Sequence, residues 1–455
     1  MSISREMARF ALSLSYEAIP EPARREAKRF LLDSLGCALA ALNLPDIRAA
    51  YRFIRELGGR RQATIIGFGT RTNLPNAALM NSLLIRALDY NDIYWKQDPS
   101  HPSDLIPAAL APAEFKGLSG RELIVGIVIA YELEMRMCLA AHPGIREVGW
   151  HHASLTQFVS PIVAGRMLGL AEDQLIAAVG ISGSSHFTLG GVVAGHLTNM
   201  KNTADPLACE AGVRAAMLAA QGYTGPEEVF EGKEGLFQVI PNVKWEREAL
   251  LSGLGERFLI TECGYKAFPT EALTHQPITA TLELVKERKI DPSQVKEVLV
   301  ETTTRGADIL SDPSKYRPTT KETADHSLPY CIAVAIAKGN VLPSDFTKAA
   351  LKDPLVWELL PKIKVVANPE IDRLFPRVKR AIVAITMQDG KSFRKEEDFA
   401  KGEPERPLSD EELLAKFRAN AGAALTVPRQ EELVEATLAL EDFPDIRDYV
   451  KLLIR

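Results

Sequence analysis

The sequence predicts a mainly α protein that combines a large all-helical domain with a smaller α+β domain. Three observations support this prediction. A chain of 455 residues is too long for one small core. Over residues 1–262, apolar residues recur at three- and four-residue steps with almost no alternating pattern. Runs of β-branched residues, which favour strands, appear only after Cys263.

The first 262 residues contain several helix-boundary signals. Pro22 opens a segment with helical apolar spacing, and proline is favoured in the first turn of a helix. Ser119 and Glu122 have the spacing of a capping box before the apolar stretch LIVGIVIAY. A further helix is predicted to end at Gly222, because glycine readily terminates helices. Residues 1–262 are therefore predicted to form the all-helical domain.

A change of pattern marks the second domain, which is predicted over residues 263–405. Strands are predicted in three stretches, at residues 295–304, 363–367 and 380–398. The last stretch alternates around Asp389–Gly390, which is a hairpin signal. Helical patterns flank these strands. Ser409 and Glu412 then form another capping box, so residues 406–455 are predicted to be helical and to return to the first domain.

Composition and charge exclude several classes of function. A net charge of -5 without a dense basic block argues against a nucleic-acid partner. The longest apolar run stops at Glu132 and is too short to span a membrane. Glu6 and Glu17 interrupt the N-terminal apolar residues, as expected for an amphipathic helix and not for a secretory signal. A cytoplasmic location is expected.

The cysteines and histidines do not form a recognisable metal motif. The 5 cysteines are scattered without a CxxC pair, which argues against a zinc ribbon or an iron–sulfur cluster. His151 and His152 are adjacent, so on a helix their side chains would diverge by about 100 degrees. HExxH is absent. We therefore expect no metal and no cofactor.

The stretch DYNDIYWKQDPSHPSD, residues 89–104, concentrates polar side chains between two apolar helical segments. It contains four aspartates, among them Asp89, together with His101. Loops carry a disproportionate share of catalytic residues, so this segment either binds a polar ligand or is a plain surface loop.

Two further segments allow similar pairs of interpretations. The glycine-rich residues 182–202 lack the GK[ST] ending of a phosphate-binding loop, but they place Lys201 at a helix start, where an anion is favoured. GYKAFPTEALTHQ contains Lys266, and Glu271 with His275 four residues apart, so that an exposed ion pair is the alternative to a site.

The last segment, ADHSLPYCIAVAI, places Asp325 and His326 before Ser327 and Tyr330. Helix capping and core packing would explain it equally well. Together, these lysines, histidines and carboxylates suit a small molecule rich in negative charge.

The ordered set of motifs resembles the MmgE/PrpD family over nearly the whole chain. The motifs are DSLGCALAAL, DYNDIYWKQDPSHPSDLIPAALA, MKNTADPLACEAGVRAAMLAAQGYTGP, YKAFPTEALTHQ and DHSLPYCIAVAI. The resemblance implies a large helical domain with a smaller α+β lid, a homodimer, and catalysis without a metal or cluster. It also implies a tricarboxylate as the small-molecule substrate.

The resemblance also implies site residues. The implied catalytic set is Asp89, His101, His152, Lys201, Lys266 and Tyr330. Both lysines are also expected to bind substrate, together with Ser103, His151, Glu271 and His275.

The motifs look closest to the 2-methylcitrate dehydratase branch, which implies loss of water from a tricarboxylate. Cis-aconitate decarboxylation, epimerisation and non-catalytic carboxylate binding are the alternatives. Ile93 stands where many family members have threonine, which leaves the substrate open.

Overall fold

The structure is a computed structural model that describes residues 1–195 and 197–455. The helices are α1 (Ile3–Ser13), α2 (Glu21–Ala41), α3 (Pro45–Leu57), α4 (Leu74–Arg86), α5 (Ile106–Lys116), α6 (Gly120–Leu139), α7 (Ala153–Leu168), α8 (Glu172–Gly183), α9 (Met200–Ala220), α10 (Leu236–Val239), α11 (Arg247–Leu251), α12 (His275–Arg288), α13 (Thr304–Ser311), α14 (Lys321–Ala324), α15 (Leu328–Lys338), α16 (Pro354–Leu359), α17 (Pro369–Asp372), α18 (Asp410–Ala421), α19 (Val427–Leu438) and α20 (Ile446–Val450). The predicted mainly α class is confirmed.

The strands are short or confined to one sheet. They are β1 (Ala63–Thr64), β2 (Arg71–Thr72), β3 (Asp92–Trp95), β4 (Pro99–Ser100), β5 (Ala141–His142), β6 (Lys244–Trp245), β7 (Gly264–Tyr265), β8 (Val295–Thr302), β9 (Ile363–Ala367), β10 (Ala381–Met387) and β11 (Ser392–Glu397). The expectation that residues 1–262 are all-helical is therefore wrong in detail, because six strands of two to four residues lie among the helices in the described part of this range, which omits residue 196.

Helices α1–α11 and α18–α20 contribute to the larger hydrophobic core. The C-terminal helices return to it through α18, which packs on α2. A Cβ atom added at Gly36 would lie 3.2 Å from the Phe417 ring, so glycine permits this close approach. Lys416 forms a buried ion pair of 2.7 Å with Asp33.

The second core begins at Phe268 and is built around a four-stranded sheet. The strand order is β11-β10-β8-β9, with β8 and β9 parallel and the other pairs antiparallel. The predicted hairpin is confirmed, since β10 and β11 pair across Asp389–Gly390 and Gly390 has a φ of 84°. Trp95, from the loop after α4, also packs into this core, so the loop reaches both cores.

In the described ranges no single helix combines the length and apolar character needed to cross a membrane. Only Glu21–Ala41 and Pro45–Leu57 taken together, bent by 91°, meet those criteria.

Candidate active site

Asp89 is the centre of a buried cluster of cations. It follows α4 with a φ of 51°, a left-handed conformation that aspartate tolerates better than most residues. The Lys266 Nζ atom lies 2.7 Å from Asp89 Oδ1, and the Lys201 Nζ atom lies 2.8 Å from Oδ2. Arg86 also contacts Oδ1. One carboxylate therefore faces three cations: Arg86 from the preceding helix turn, and Lys201 and Lys266 from distant segments.

Local structure explains how these segments meet. Arg86 ends α4 one turn before Asp89, and Lys201 lies in the first turn of α9. Lys266 directly follows β7, which pairs with β3, and its backbone N–H donates to the Asn91 carbonyl oxygen at 3.3 Å. The strand pairing thus holds Lys266 beside the loop that carries Asp89.

Burial and charge set the ionisation of this cluster. Burial alone would raise the pKa of Asp89, but Lys201, Lys266 and Arg86 hold that pKa well below its usual range. Burial lowers the pKa of Lys201 to about 8, against the opposing effect of Asp89. It lowers the pKa of Lys266 as well. Asp89 therefore stays ionised, while Lys201 can exchange its proton near neutral pH.

His101 is held in one tautomer. Its Nδ1 atom lies 2.6 Å from the backbone carbonyl oxygen of Asp92, which can only accept a hydrogen bond. Nδ1 must then carry the proton, which leaves Nε2 with a free lone pair. Burial lowers the pKa of His101 well below its usual value, and the charges of Arg86 and Lys266 lower it further. His101 is thus a neutral base.

Ser103 supports this loop. Its backbone N–H and hydroxyl donate to the two Asp92 carboxylate oxygens at 2.9 and 2.6 Å. Its hydroxyl also accepts from Asn91 at 2.9 Å. The structure therefore places Ser103 in contact with Asp92, with its hydroxyl already engaged, although substrate binding was expected of it.

His151 and His152 lie together beside Asp205. The two ring centroids are 4.0 Å apart, and His152 lies 5.7 Å from the ring of His101. Both residues precede Ala153, the first residue of α7, so the divergence expected for adjacent residues within a helix does not apply to them. His152 Nε2 is 3.2 Å from Asp205 Oδ2, outside hydrogen-bond angles, so the two groups form an ion pair only when His152 is protonated. Burial lowers the pKa of both histidines.

The same three side chains present ligand atoms within 4.8 Å of one another, close enough to hold a metal ion. Arg86 and Arg146 stand near them, and both lower the pKa of His151 and His152. Such surroundings disfavour a further cation and favour an anion.

Glu271 and His275 border the cluster from the second core. Glu271 accepts from the Leu273 N–H at 2.6 Å, and His275 Nε2 lies 3.3 Å from the Thr270 carbonyl oxygen. No ion pair joins Glu271 and His275 in the described part of the chain, so the alternative of an exposed pair is wrong. Lys266 influences the pKa of both residues.

Tyr330 is not brought to the cluster. Its hydroxyl donates to the Asp345 carbonyl oxygen at 2.8 Å, and its ring packs on Phe346 inside the second core. The expectation that Tyr330 carries a proton at this site is therefore corrected. Helix α15 turns the side chain toward the second core and away from the cluster.

Sequence reasoning missed three groups. The sequence did contain a signal for Arg86, because a charged residue at the end of an apolar helix needs a partner. Asp205 is four residues after Lys201 and so lies on the same face of α9. The third group was noted in the sequence but not assigned to the site: it is the pair in which His326 Nδ1 lies 2.6 Å from Asp325 Oδ1. His326 is close enough for Lys201 to depress its pKa, after the larger effect of burial.

Comparison with family models identifies the family of this chain. Residues 5–248 match the MmgE/PrpD N-terminal domain, and residues 268–442 match the MmgE/PrpD C-terminal domain. The chain belongs to the MmgE/PrpD family. In this MmgE/PrpD protein, Asp89, His101 and Lys201 lie in the N-terminal match, whereas Lys266 lies between the two matches.

Relatives of this MmgE/PrpD protein align over almost the full chain. A cis-aconitate decarboxylase-like protein of Aspergillus oryzae is 25% identical, covering 99% of this chain and 97% of the relative. The cis-aconitate decarboxylase of Homo sapiens is 25% identical, covering 98% of this chain and 93% of the relative. The 2-methylcitrate dehydratase of Salmonella typhi is 25% identical, covering 97% of this chain and 95% of the relative. Identity does not separate the two activities.

Proposed function

We propose that this protein is a cofactor-independent hydro-lyase that removes water from a 2-methylcitrate-like tricarboxylate to give a cis-aconitate-type alkene. The observation that carries the proposal is the buried cluster, in which three cations surround Asp89 beside neutral His101 and His152. Dehydration next to a carboxylate needs three things: charge stabilisation, a base and an acid. The cluster offers a candidate for each.

Substrate carboxylates would be held by Lys201 and Lys266. Both ammonium groups now share Asp89, and Nζ of Lys201 lies outside hydrogen-bond geometry, so its N–H groups are unused. A buried cation with unused donors is costly unless an anion binds there. The same lysines would meet the negative charge that develops when a proton leaves the carbon next to a carboxylate.

His101 is the proposed base. Its Nε2 lone pair is free because Nδ1 is committed to the Asp92 carbonyl oxygen, and its lowered pKa keeps it unprotonated at neutral pH. Proton transfer by a positioned side chain contributes about a hundred- to ten-thousand-fold to rate.

His152 is the proposed acid that protonates the departing hydroxyl group. It is neutral in the free protein, since burial lowers its pKa. The negative charge of Asp205 raises that pKa again, in opposition to burial. The negative charges of a bound tricarboxylate would raise it further and favour a protonated His152. Asp205 would then orient the ring, as carboxylates do for catalytic histidines.

Ile93 bears on the choice of substrate. Its side chain is apolar, but the small cavity of about 60 Å³ that it lines is otherwise rich in charged residues such as Lys96, Glu262 and Lys379. A methyl group of the substrate that is buried against the Ile93 side chain itself would gain about 0.8 kcal/mol. The preference for 2-methylcitrate over citrate is therefore part of the proposal, and the substrate screen decides it.

Related reactions share the same first steps. Decarboxylation of cis-aconitate and epimerisation also pass through a stabilised carbanion, and the cis-aconitate decarboxylases match this chain as well as the dehydratases do. A non-catalytic carboxylate-binding role would require loss of a proton-transfer group, yet both histidines and both lysines are present.

A substrate screen tests the proposal. Purified protein is incubated separately with 2-methylcitrate, citrate and cis-aconitate while alkene absorbance and carbon dioxide are followed. We expect alkene formation, fastest with 2-methylcitrate. Carbon dioxide release from cis-aconitate without dehydration of either citrate would assign the protein to the decarboxylases instead.

A further inference from the structure

A cavity of about 830 Å³ lies where the two cores meet. One wall is formed by Gly149 and by residues 190–191, 193–195 and 197, and the other by residues from Arg305 to Thr323. The first wall continues into the site on both sides, because Gly149 stands two residues before His151 and Leu197 stands four residues before Lys201. The cavity therefore borders the cluster but is not part of it.

Arg146 faces this cavity without a partner. In the described ranges its guanidinium group has no carboxylate within ion-pair distance and no side-chain hydrogen bond, although it is only partly exposed. Burial lowers its pKa, against the opposing effects of Glu271 and Asp98. An unpaired arginine in such a position is costly unless an anion is bound there.

Asp98 is not the anionic partner of the Arg146 guanidinium group. Its two carboxylate oxygens accept from the backbone N–H groups of Ile145 and Arg146 at 2.7 and 3.1 Å. These bonds fix the short 3₁₀ helix Ile145–Val148, which carries Arg146. Asp98 is thus a positioning residue that holds the backbone below Arg146 and leaves the guanidinium group free.

Arg305 adds a second cation from the opposite wall. Its guanidinium group pairs with Glu147 and lies 5.8 Å from the centre of the Trp95 ring. After burial, Arg146 is the next cause that lowers the pKa of Arg305, which falls to about 10. Two arginines from different parts of the chain thus line the same cavity, and an anion bound between them would offset their mutual repulsion.

We propose that Arg146 and Arg305 form a second anion subsite, which takes the substrate carboxylate that lies farthest from Lys201 and Lys266. This rests on the proposed function and deepens it, since the subsite would make the protein select a tricarboxylate over a dicarboxylate. Arginine suits this role because its planar group binds a carboxylate through two parallel hydrogen bonds.

Equilibrium binding tests the subsite without requiring turnover. Calorimetry would measure the binding of propane-1,2,3-tricarboxylate, which lacks the hydroxyl group and so cannot be dehydrated, and of glutarate, which has two carboxylates. We expect the wild type to bind the tricarboxylate more tightly by at least about tenfold. Arg146→Met should remove that preference by weakening only the tricarboxylate, and Arg305→Met should act in the same direction.

Arg317→Met is the matched control. Arg317 lines the same cavity but is exposed, so its removal lowers the local charge without touching the proposed contact. Its binding of both ligands should match the wild type. Arg146→Met should not lower the melting temperature, because the side chain has no partner to lose.

Three results would overturn the subsite: an unchanged preference in Arg146→Met, an equal loss in Arg317→Met, or a wild type that does not prefer the tricarboxylate. A negative substrate screen combined with the expected binding pattern would overturn the proposed reaction and leave the subsite standing. Dehydration of 2-methylcitrate by a wild-type protein that lacks the binding preference would support the proposed reaction and overturn the subsite.

Discussion

The Nδ1 atom of His101 and the backbone carbonyl oxygen of Asp92 are 2.6 Å apart, and this contact fixes the chemistry of the ring. A carbonyl oxygen cannot donate, so the free nitrogen of His101 is Nε2. Since the same loop buries His101 to 6% exposure, the residue is part of a packed site and not a mobile surface loop.

Replacing His101 with glutamine should lower turnover by about a hundredfold or more, because glutamine can hydrogen-bond but cannot accept the proton at neutral pH. The amide group can still donate to the Asp92 carbonyl oxygen, so Tm should stay near that of the wild type. His101→Ala should lose turnover and Tm together, since it leaves the carbonyl oxygen unpaired. Steady-state kinetics and calorimetry check both variants. Near-normal turnover in His101→Gln would rule out His101 as the base.

Lys266→Ala should lower kcat/KM by about a hundredfold or more, since it removes a fixed charge from the site of developing negative charge. Lys266→Arg should restore little, because a planar fork does not fit the space of a compact ammonium group between Asp89 and the Thr270 carbonyl oxygen. Lys201→Ala should behave similarly. As a control, Lys391→Ala removes an exposed lysine of the β10–β11 turn and should leave kcat/KM unchanged.

The pH profile should have a basic limb near the pKa of Lys201. Asp89 stays ionised and His101 stays neutral through the neutral range, because both pKa values are lowered well below it. Lys201 loses its charge as the pH rises through about 8, so kcat/KM should fall there. Lys201→Arg should lose most activity, and its residual activity should lack this limb. A wild-type profile that stays flat to pH 10 would contradict the assignment.

Dialysis against EDTA should leave activity intact. His151, His152 and Asp205 have the spacing of a metal site, but Arg86 and Arg146 make their surroundings positive. Elemental analysis before and after dialysis provides the check. A stoichiometric metal whose loss and return track activity would reverse this expectation.

Tyr330→Phe should leave turnover within about twofold of the wild type. It should cost about 1 kcal/mol of stability, since it removes the donor to the Asp345 carbonyl oxygen. Thermal unfolding and steady-state kinetics measure the two effects separately. A hundredfold loss of turnover with an unchanged Tm would return Tyr330 to the catalytic set.

Much of the fold follows from local sequence patterns. The hairpin at Asp389–Gly390, the caps at Ser119 and Ser409, and the helix start at Pro22 each depend on neighbouring residues and were predicted from them. The strands β3 and β7 were not predicted, because each is too short for a periodic pattern and forms only when distant segments pair.

The candidate site likewise contains residues that sequence patterns identified and residues whose role depends on distant segments. Asp89, His101, Lys201 and Lys266 stood out because polar residues beside apolar helices need an explanation, and they do lie together. Sequence could not orient Tyr330, whose side chain direction depends on how α15 packs in the second core. Arg146 lacked any signal, since its significance lies in a cavity formed by two separate parts of the chain.

The pairing of β7 with β3 has a consequence for how substrate reaches a buried site. Lys266 is tied to the Asp89 loop by the pairing and by its bond to Asn91, whereas the second core begins two residues later at Phe268. Any outward movement of the second core would leave Lys266 at Asp89 but break its bond to the Thr270 carbonyl oxygen. The same movement would take His326 away from Lys201 and separate Trp95 from Phe375, whose rings now meet edge to face at 5.8 Å. The contacts of Lys266 and Trp95 with the second core therefore set the cost of opening the site.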